Sequence, residues 1–198
     1  MRIAAVGTSP KLECLTDRWK RGSHIVGHGE EAVAEAELVV IDRPSETIVG
    51  DVGRMSSTLA GKIVVDCSNV TTVIELRGPL SLVERVSRAA PQARFVKAFN
   101  VIDSAALAYV FKRNVPVIHG QRTAVFHCGD DIAASAVVRS LIQEVELDPI
   151  DCGPLSNATL LEALGVLGDY LARNVFGELF AINVAREPKG GSPLDALM

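Results

Sequence analysis

No apolar run in this 198-residue chain reaches the roughly 18 residues that a membrane span requires. The most apolar stretch, residues 155–184, is broken by Glu162, Asp169, Arg173 and Glu178. No membrane association is therefore expected. Residues 3–6 are too short for the apolar segment of a secretory leader, and they run straight into Gly7. Charge of one sign is also lacking. With 20 basic and 24 acidic residues the net charge is −4, which excludes the basic surface that nonspecific nucleic-acid binding uses. Cysteines are few (Cys14, Cys67, Cys128, Cys152) and form no C-x-x-C pair; His24, His28, His119 and His127 are scattered among them without zinc spacing. No metal site is expected, and buried free thiols fit a cytoplasmic location. Disorder is excluded because 48% of residues are hydrophobic and 22% charged.

What is present is an alternation. Short, Val-rich runs at 3–6, 24–26, 38–41, 63–67, 94–98, 124–128 and 149–152 read as strands covered on both faces. Helix-length segments at 12–20, 46–59, 81–89, 104–111 and 132–145 lie between them. This predicts an α/β fold: a doubly wound, mostly parallel Rossmann-like sheet with a long C-terminal helix. The expected organisation is a Rossmann-like domain over 1–154, a C-terminal helix over 155–185 for packing or dimerisation, and a flexible tail over 186–198 rich in Gly and Pro. In the long helix, Leu160, Leu164, Leu167, Leu171, Val175 and Leu179 recur at steps of three and four, so more than one neighbour must bury it. Core packing and a homodimer interface both satisfy that pattern.

The first strand leads into Gly7-Thr8-Ser9-Pro10-Lys11-Leu12. A dinucleotide-binding turn reads G-x-G-x-x-G, in which the second glycine admits the pyrophosphate and the third lets helix and strand pack closely. Here Ser9 and Leu12 replace those two glycines. Ser9 can cap the following helix and Pro10 suits its first position. The helix N-terminus and Lys11 would still attract an anion. After the second strand comes Gly27-His28-Gly29-Glu30, with no Arg for a 2′-phosphate.

Later motifs carry a resemblance. Residues 96–102 (VKAFNVI), 59–69 (LAGKIVVDCSN), 128–131 (CGDD) and 148–155 (DPIDCGPL) resemble, in order and spacing, motifs of the deazaflavin (coenzyme F-420)-dependent NADP oxidoreductases. The resemblance covers about three quarters of the chain, from about residue 31 onward. It implies a Rossmann-type domain, usually dimeric, that passes a hydride between NADP and a deazaflavin. By motif, the nicotinamide side would fall near Pro44, Asn69, Ala98, Phe99 and Asn100, and the phosphate side near Gly7, Thr8, Ser9 and Lys11. The departures cluster on the adenosine–pyrophosphate half: the glycine loop, the family's G-S-R after the second strand, and one helix–strand unit that is missing here. Where the family's third strand ends L-A-V-P, this chain has Ile41-Asp42-Arg43-Pro44.

The candidate catalytic residues are Asp42, Arg43, Lys97 and Asn100. Only one of Asp42 and Arg43 can face the cleft, because neighbouring strand residues point to opposite sides. Lys97 could hold an anion, act as an acid if burial lowers its pKa, or simply pair with Asp66. Asn69 and Asn100 could orient a carbonyl or satisfy turn backbone. Ser68 and Thr71 suit turn chemistry better than catalysis, and His28 and His119 suit solvated loops.

Three functions compete. The first is a small-molecule enzyme that has lost most dinucleotide-binding features and performs an isomerisation, elimination or cyclisation, with no NADP or only weak NADP. The second is a working NADPH- or deazaflavin-linked reductase. The third is a noncatalytic binding subunit.

Overall fold

The computed structural model describes residues 1–19, 24–113, 117–118, 121–176 and 181–184. The elements follow the alternation expected: β1 (Arg2–Gly7), α1 (Pro10–Trp19), β2 (His24–His28), a 3-10 turn (Glu30–Glu35), β3 (Leu38–Asp42), α2 (Ile48–Arg54), α3 (Ser56–Leu59), β4 (Ile63–Asp66), α4 (Leu82–Ala89), β5 (Arg94–Ala98), α5 (Ser104–Arg113), the two-residue strands β6 (Val117–Ile118) and β7 (Gln121–Arg122), β8 (Ala124–Gly129), α6 (Ile132–Glu144), β9 (Asp148–Asp151) and α7 (Ala158–Leu171).

Seven strands form one sheet in the order β2-β1-β3-β4-β5-β8-β9, and β6 pairs with β7 apart from it. All neighbours in the large sheet run parallel except β5 and β8. A single strand, β2, lies beyond β1. That is the doubly wound order 2-1-3-4-5, with its switch point between β1 and β3. The nine residues between β2 and β3 (29–37) leave room only for the 3-10 turn, so no further strand is inserted there.

The inner strands β1, β3, β4 and β5 are buried on both faces, which explains their continuous apolar sequence. One core contains Leu12, Leu15 and Trp19 of α1, Leu107 and Val110 of α5, and Val138 and Leu141 of α6. The other contains Ile48 and Val52 of α2, Leu82 and Val86 of α4, and Leu161 of α7. Local signals set several helix starts. Ser81 and Glu84 form a reciprocal capping box at α4. Asp131 accepts from the Ala134 N–H at 2.7 Å and caps α6. Its neighbour Asp130 acts elsewhere, accepting from the Leu155 N–H at 2.8 Å.

Two helices differ from expectation. The segment 46–59 breaks at Met55, whose N–H donates to carbonyls of the preceding turn, giving two short helices. The C-terminal segment begins as a 3-10 turn (Leu155–Asn157), continues as α7, and widens into a π turn at Ala172–Phe176. Residues 181–184 are not helical, and Asn183 Oδ1 accepts from the Ala124 N–H at 2.9 Å. The tail 186–198 and His119 lie outside the described residues.

Candidate functional site

At the switch point the carboxyl ends of β1 and β3 lie side by side, with Gly7 paired to Asp42. Gly7 is required there: its φ is +142°, and a Cβ would meet the Asp42 carbonyl oxygen at 2.1 Å. Beyond it, the Ser9 hydroxyl accepts from the Leu12 N–H at 3.1 Å, capping α1. The same hydroxyl donates to Asp42 Oδ2 at 2.5 Å. The N-terminus of α1 therefore already has an anionic neighbour, the carboxylate of Asp42. Burial pushes the Asp42 carboxyl up from its ordinary pKa, against the downward pull of Lys11 and the Ser9 bond.

Asp42 lines a cleft of about 130 Å³ together with Lys11, Asn69, Asn100, Asp103 and Asp169. Cys67 closes one wall as a buried thiol, its pKa pushed well up by burial. Ser104 and Gly168 complete the lining. The turn after β5 brings Asn100 to this place. Phe99 adopts a left-handed φ of +63°, a strained conformation for an aromatic residue. Its ring is held edge-on against Trp19 at 5.9 Å, and Trp19 Nε1 donates to the Leu141 carbonyl at 3.3 Å. Asn100 Nδ2 donates to Asn69 Oδ1 at 3.2 Å and to the Leu161 carbonyl at 2.8 Å. Its Oδ1 has no hydrogen-bond partner among the described residues, although Asn100 is only 5% exposed. Helix α7 can come this close because Gly165 faces Asn69, whose Nδ2 would lie 2.4 Å from a Cβ there.

The structure separates the four catalytic candidates. Asp42 and Asn100 meet in the cleft. Arg43 does not line it: as the strand alternation required, its guanidinium lies on the other side, 3.7 Å from Glu30 and 3.8 Å from Asp51. Its N–H donates to Ser68 Oγ at 2.9 Å, which gives Ser68 a structural task. Lys97 does not line the cleft either. It is fully buried, with Nζ 2.9 Å from Asp66 Oδ2, 2.5 Å from the Ser68 carbonyl and 3.7 Å from Glu162 Oε1. Burial pulls its pKa down, but Asp66 and Glu162 more than offset that, and the net direction is upward. A lysine acid with a lowered pKa is therefore not what this environment creates, and pairing with Asp66 is what the structure contains.

Among the other expected positions, Lys11 and Asn69 line the cleft, whereas Thr8 and Pro44 are exposed outside its lining and Ala98 and Phe99 are buried beneath it. Thr71 donates to Glu75 rather than toward the cleft. His28 is exposed at the end of β2. Sequence reasoning missed Asp103 and Asp169. Asp103 had a local signal, since Oδ1 accepts from the Ala105 N–H at 2.7 Å at the start of α5. Asp169 had none, because its place depends on how α7 packs. Among the described residues no cluster of three or more His, Cys, Asp or Glu could hold a metal ion, and no helix is long and apolar enough to cross a membrane.

No protein-family model matches the chain. Rat metalloreductase STEAP3 is 30% identical over 165 residues, covering 80% of this chain and 32% of its own length. Human metalloreductase STEAP2 is 31% identical over 144 residues, covering 70% and 26%. The chain thus spans a third or less of these curated relatives. Among solved structures, a candidate F-420-dependent NADP reductase from Arthrobacter superposes with a TM-score of 0.77 at 23% identity, covering 93% of this chain and 99% of that one. The fold is that of the NADP-linked reductases, as the motifs implied, on a Rossmann-like scaffold.

Proposed function

We propose that this chain, built on a reductase-type scaffold, is a small-molecule enzyme that works in the cleft beside Asp42 without a firmly held dinucleotide. The Ser9–Asp42 hydrogen bond at the N-terminus of α1 carries this reading. In a dinucleotide-binding turn the pyrophosphate rests on that helix end, on bare backbone N–H groups. Here the Ser9 side chain takes one of those N–H groups and a carboxylate stands beside it. An incoming phosphate would have to displace the serine and sit against a like charge, so these residues do not fit the group. Among the described residues no strand lies beyond β2, which supports the same reading on the adenosine side.

The chemistry assigned to the cleft is therefore proton transfer, of the kind an isomerisation, elimination or cyclisation needs. Asp42 is the group for it. It lines the cleft, and burial raises its carboxyl above the ordinary value, the direction that suits a proton-transferring group. Asn100 and Asn69 would orient the ligand. The deciding experiment is calorimetric titration of the purified protein with NADPH, NADH and a deazaflavin. Absence of heat with all three at concentrations up to about a hundred micromolar is expected, and micromolar NADPH binding would overturn the reading. That outcome would favour a working reductase, for which Lys11 beside the α1 N-terminus is the supporting observation.

The assembly we assign is a homodimer through the C-terminal helix, whose Leu160, Leu167, Tyr170 and Val175 are exposed in the single chain. Sedimentation of Leu167→Glu tests it, since a monomer should result. The four cysteines are free, which suits a reducing cytoplasm.

A further inference from the structure

The cleft's chemistry narrows the class of ligand. Among the described residues three carboxylates line it, those of Asp42, Asp103 and Asp169, against one ammonium, that of Lys11. Other nearby cations do not change this balance. Lys97 is held between Asp66 and Glu162 behind the wall, and Arg43 is turned away toward Glu30 and Asp51. Acidic residues alone would be no site. Asn100 is the second and independent observation: it lines the cleft, is 5% exposed, has spent both amide hydrogens on Asn69 and Leu161, and keeps an acceptor oxygen with no partner among the described residues. A buried acceptor without a donor is costly, and native proteins rarely retain one without a reason. Asp42 has a second oxygen to offer as well, because Ser9 engages only Oδ2. Beside these acceptors the lining holds donors in Lys11, the Ser104 hydroxyl and the Asn69 amide, of which only Lys11 carries a charge.

We infer that the cleft binds a small protonated amine, an organic ammonium or amidinium of about six non-hydrogen atoms, with its N–H groups shared between Asp42 and Asn100. The inference rests on the reading that this cleft takes a small molecule in place of a dinucleotide. The size follows from the volume: about 130 Å³ is close to a cavity that holds one benzene ring. The charge follows from the carboxylates, and the donor requirement from Asn100. Lys11 stands at the same cleft as a like charge, so it should weaken binding and, by the same token, confine the ammonium to the Asp42 side.

The test is calorimetric or NMR titration of the full chain with two matched probes, n-butylammonium and butyrate. Butylammonium is expected to bind in the millimolar range or tighter, and butyrate not at all. Asp42→Asn should weaken butylammonium at least tenfold. Lys11→Ala, a partly exposed position whose change leaves the fold intact, should tighten it about threefold by removing a like charge at the screened distances of a half-open cleft. Butyrate binding in preference to butylammonium, or a weaker rather than tighter Lys11→Ala, would overturn the inference. Failure of butylammonium to bind at all would do so too. None of these outcomes depends on NADPH. Micromolar NADPH binding refutes the proposed function, whereas probe selectivity decides the ligand class.

Discussion

Replacing Lys97 by methionine should unfold this protein more readily than any single change at the cleft. Lys97 is fully buried on β5, and its ammonium lies against two carboxylates and a carbonyl from two other parts of the chain, the end of β4 and α7. Glu162 brings α7 into the group and also accepts from the Leu82 and Val83 N–H groups at 2.9 and 3.2 Å, so it caps α4 as well. Methionine keeps the length and apolar stem but removes the charge, leaving Asp66 and Glu162 buried beside each other. Breaking a buried pair in this way costs about 3–5 kcal/mol. The carboxylates keep backbone N–H partners, including the Ser68 N–H on Asp66 at 2.9 Å, which places the expected loss near the middle, at about 4 kcal/mol. In a domain of this size each kcal/mol moves Tm by about 2–4 °C, so Tm should fall by roughly 10 °C. Urea unfolding followed by circular dichroism gives the free energy directly. The pH dependence has a definite sign. Because Lys97 has a raised pKa in the folded state, its contribution is fully present below the ordinary lysine value of 10.5 and is lost only as pH rises through the higher folded value. The gap between wild type and Lys97→Met should therefore stay constant through the neutral range and close only in strong alkali. A loss below about 1 kcal/mol would refute the reasoning, since it would mean the pair no more than offsets its own desolvation relative to a methionine.

Gly165→Ala should destabilise by about 1–3 kcal/mol, because its Cβ would fall 2.4 Å from Asn69 Nδ2. In an Asn69→Ala background the same change should be nearly neutral, and a thermal-melt double-mutant cycle measures the coupling. Ser81→Ala removes the capping box of α4 and should cost about 1 kcal/mol in urea unfolding. Glu75 ties the loop after β4 to Ser45 at 2.7 Å and to Thr71 and Thr72, and these bonds, led by that from Ser45, lower its pKa from 4.5 to about 2. The wild-type advantage over Glu75→Gln should thus be present above pH 4.5 and fade as pH falls through about 2, read as the difference in urea midpoints.

The elements of this protein were legible one by one because each is decided locally. Val-rich runs bounded by turn residues became β1, β3, β4, β5 and β8, and the 3.6-residue period marked α6 and α7. Ser9 caps its helix as its position implies. The doubly wound α/β class followed from the strand–helix alternation, and the reductase-type fold was implied by the resemblance of four short motifs to the deazaflavin-dependent NADP oxidoreductases. Neither the break at Met55 nor the π turn at Ala172–Phe176 was read from the sequence: Gly53 lies two residues before Met55 and Gly168 four before Ala172, but an isolated glycine inside a helical pattern is tolerated and does not by itself mark a break.

The site belongs mostly to tertiary structure. That Asp42 and Arg43 would part to opposite sides followed from strand geometry, but which one took the cleft depended on where α1 lies. The Ser9–Asp42 bond joins residues 33 apart, and the Lys97–Glu162 pair joins residues 65 apart, so no local pattern announces either. Lys97 reads the same in sequence whether it is a catalytic acid or a buried counter-ion. Its surroundings are set by two carboxylates delivered from β4 and α7. Asp169 reached the cleft only because Gly165 lets α7 settle against Asn69. Sequence alone determines backbone preference and apolar periodicity, which act over a few residues. Charge environment, desolvation and cleft membership depend on distances between segments far apart in the chain, and only the packed fold sets those.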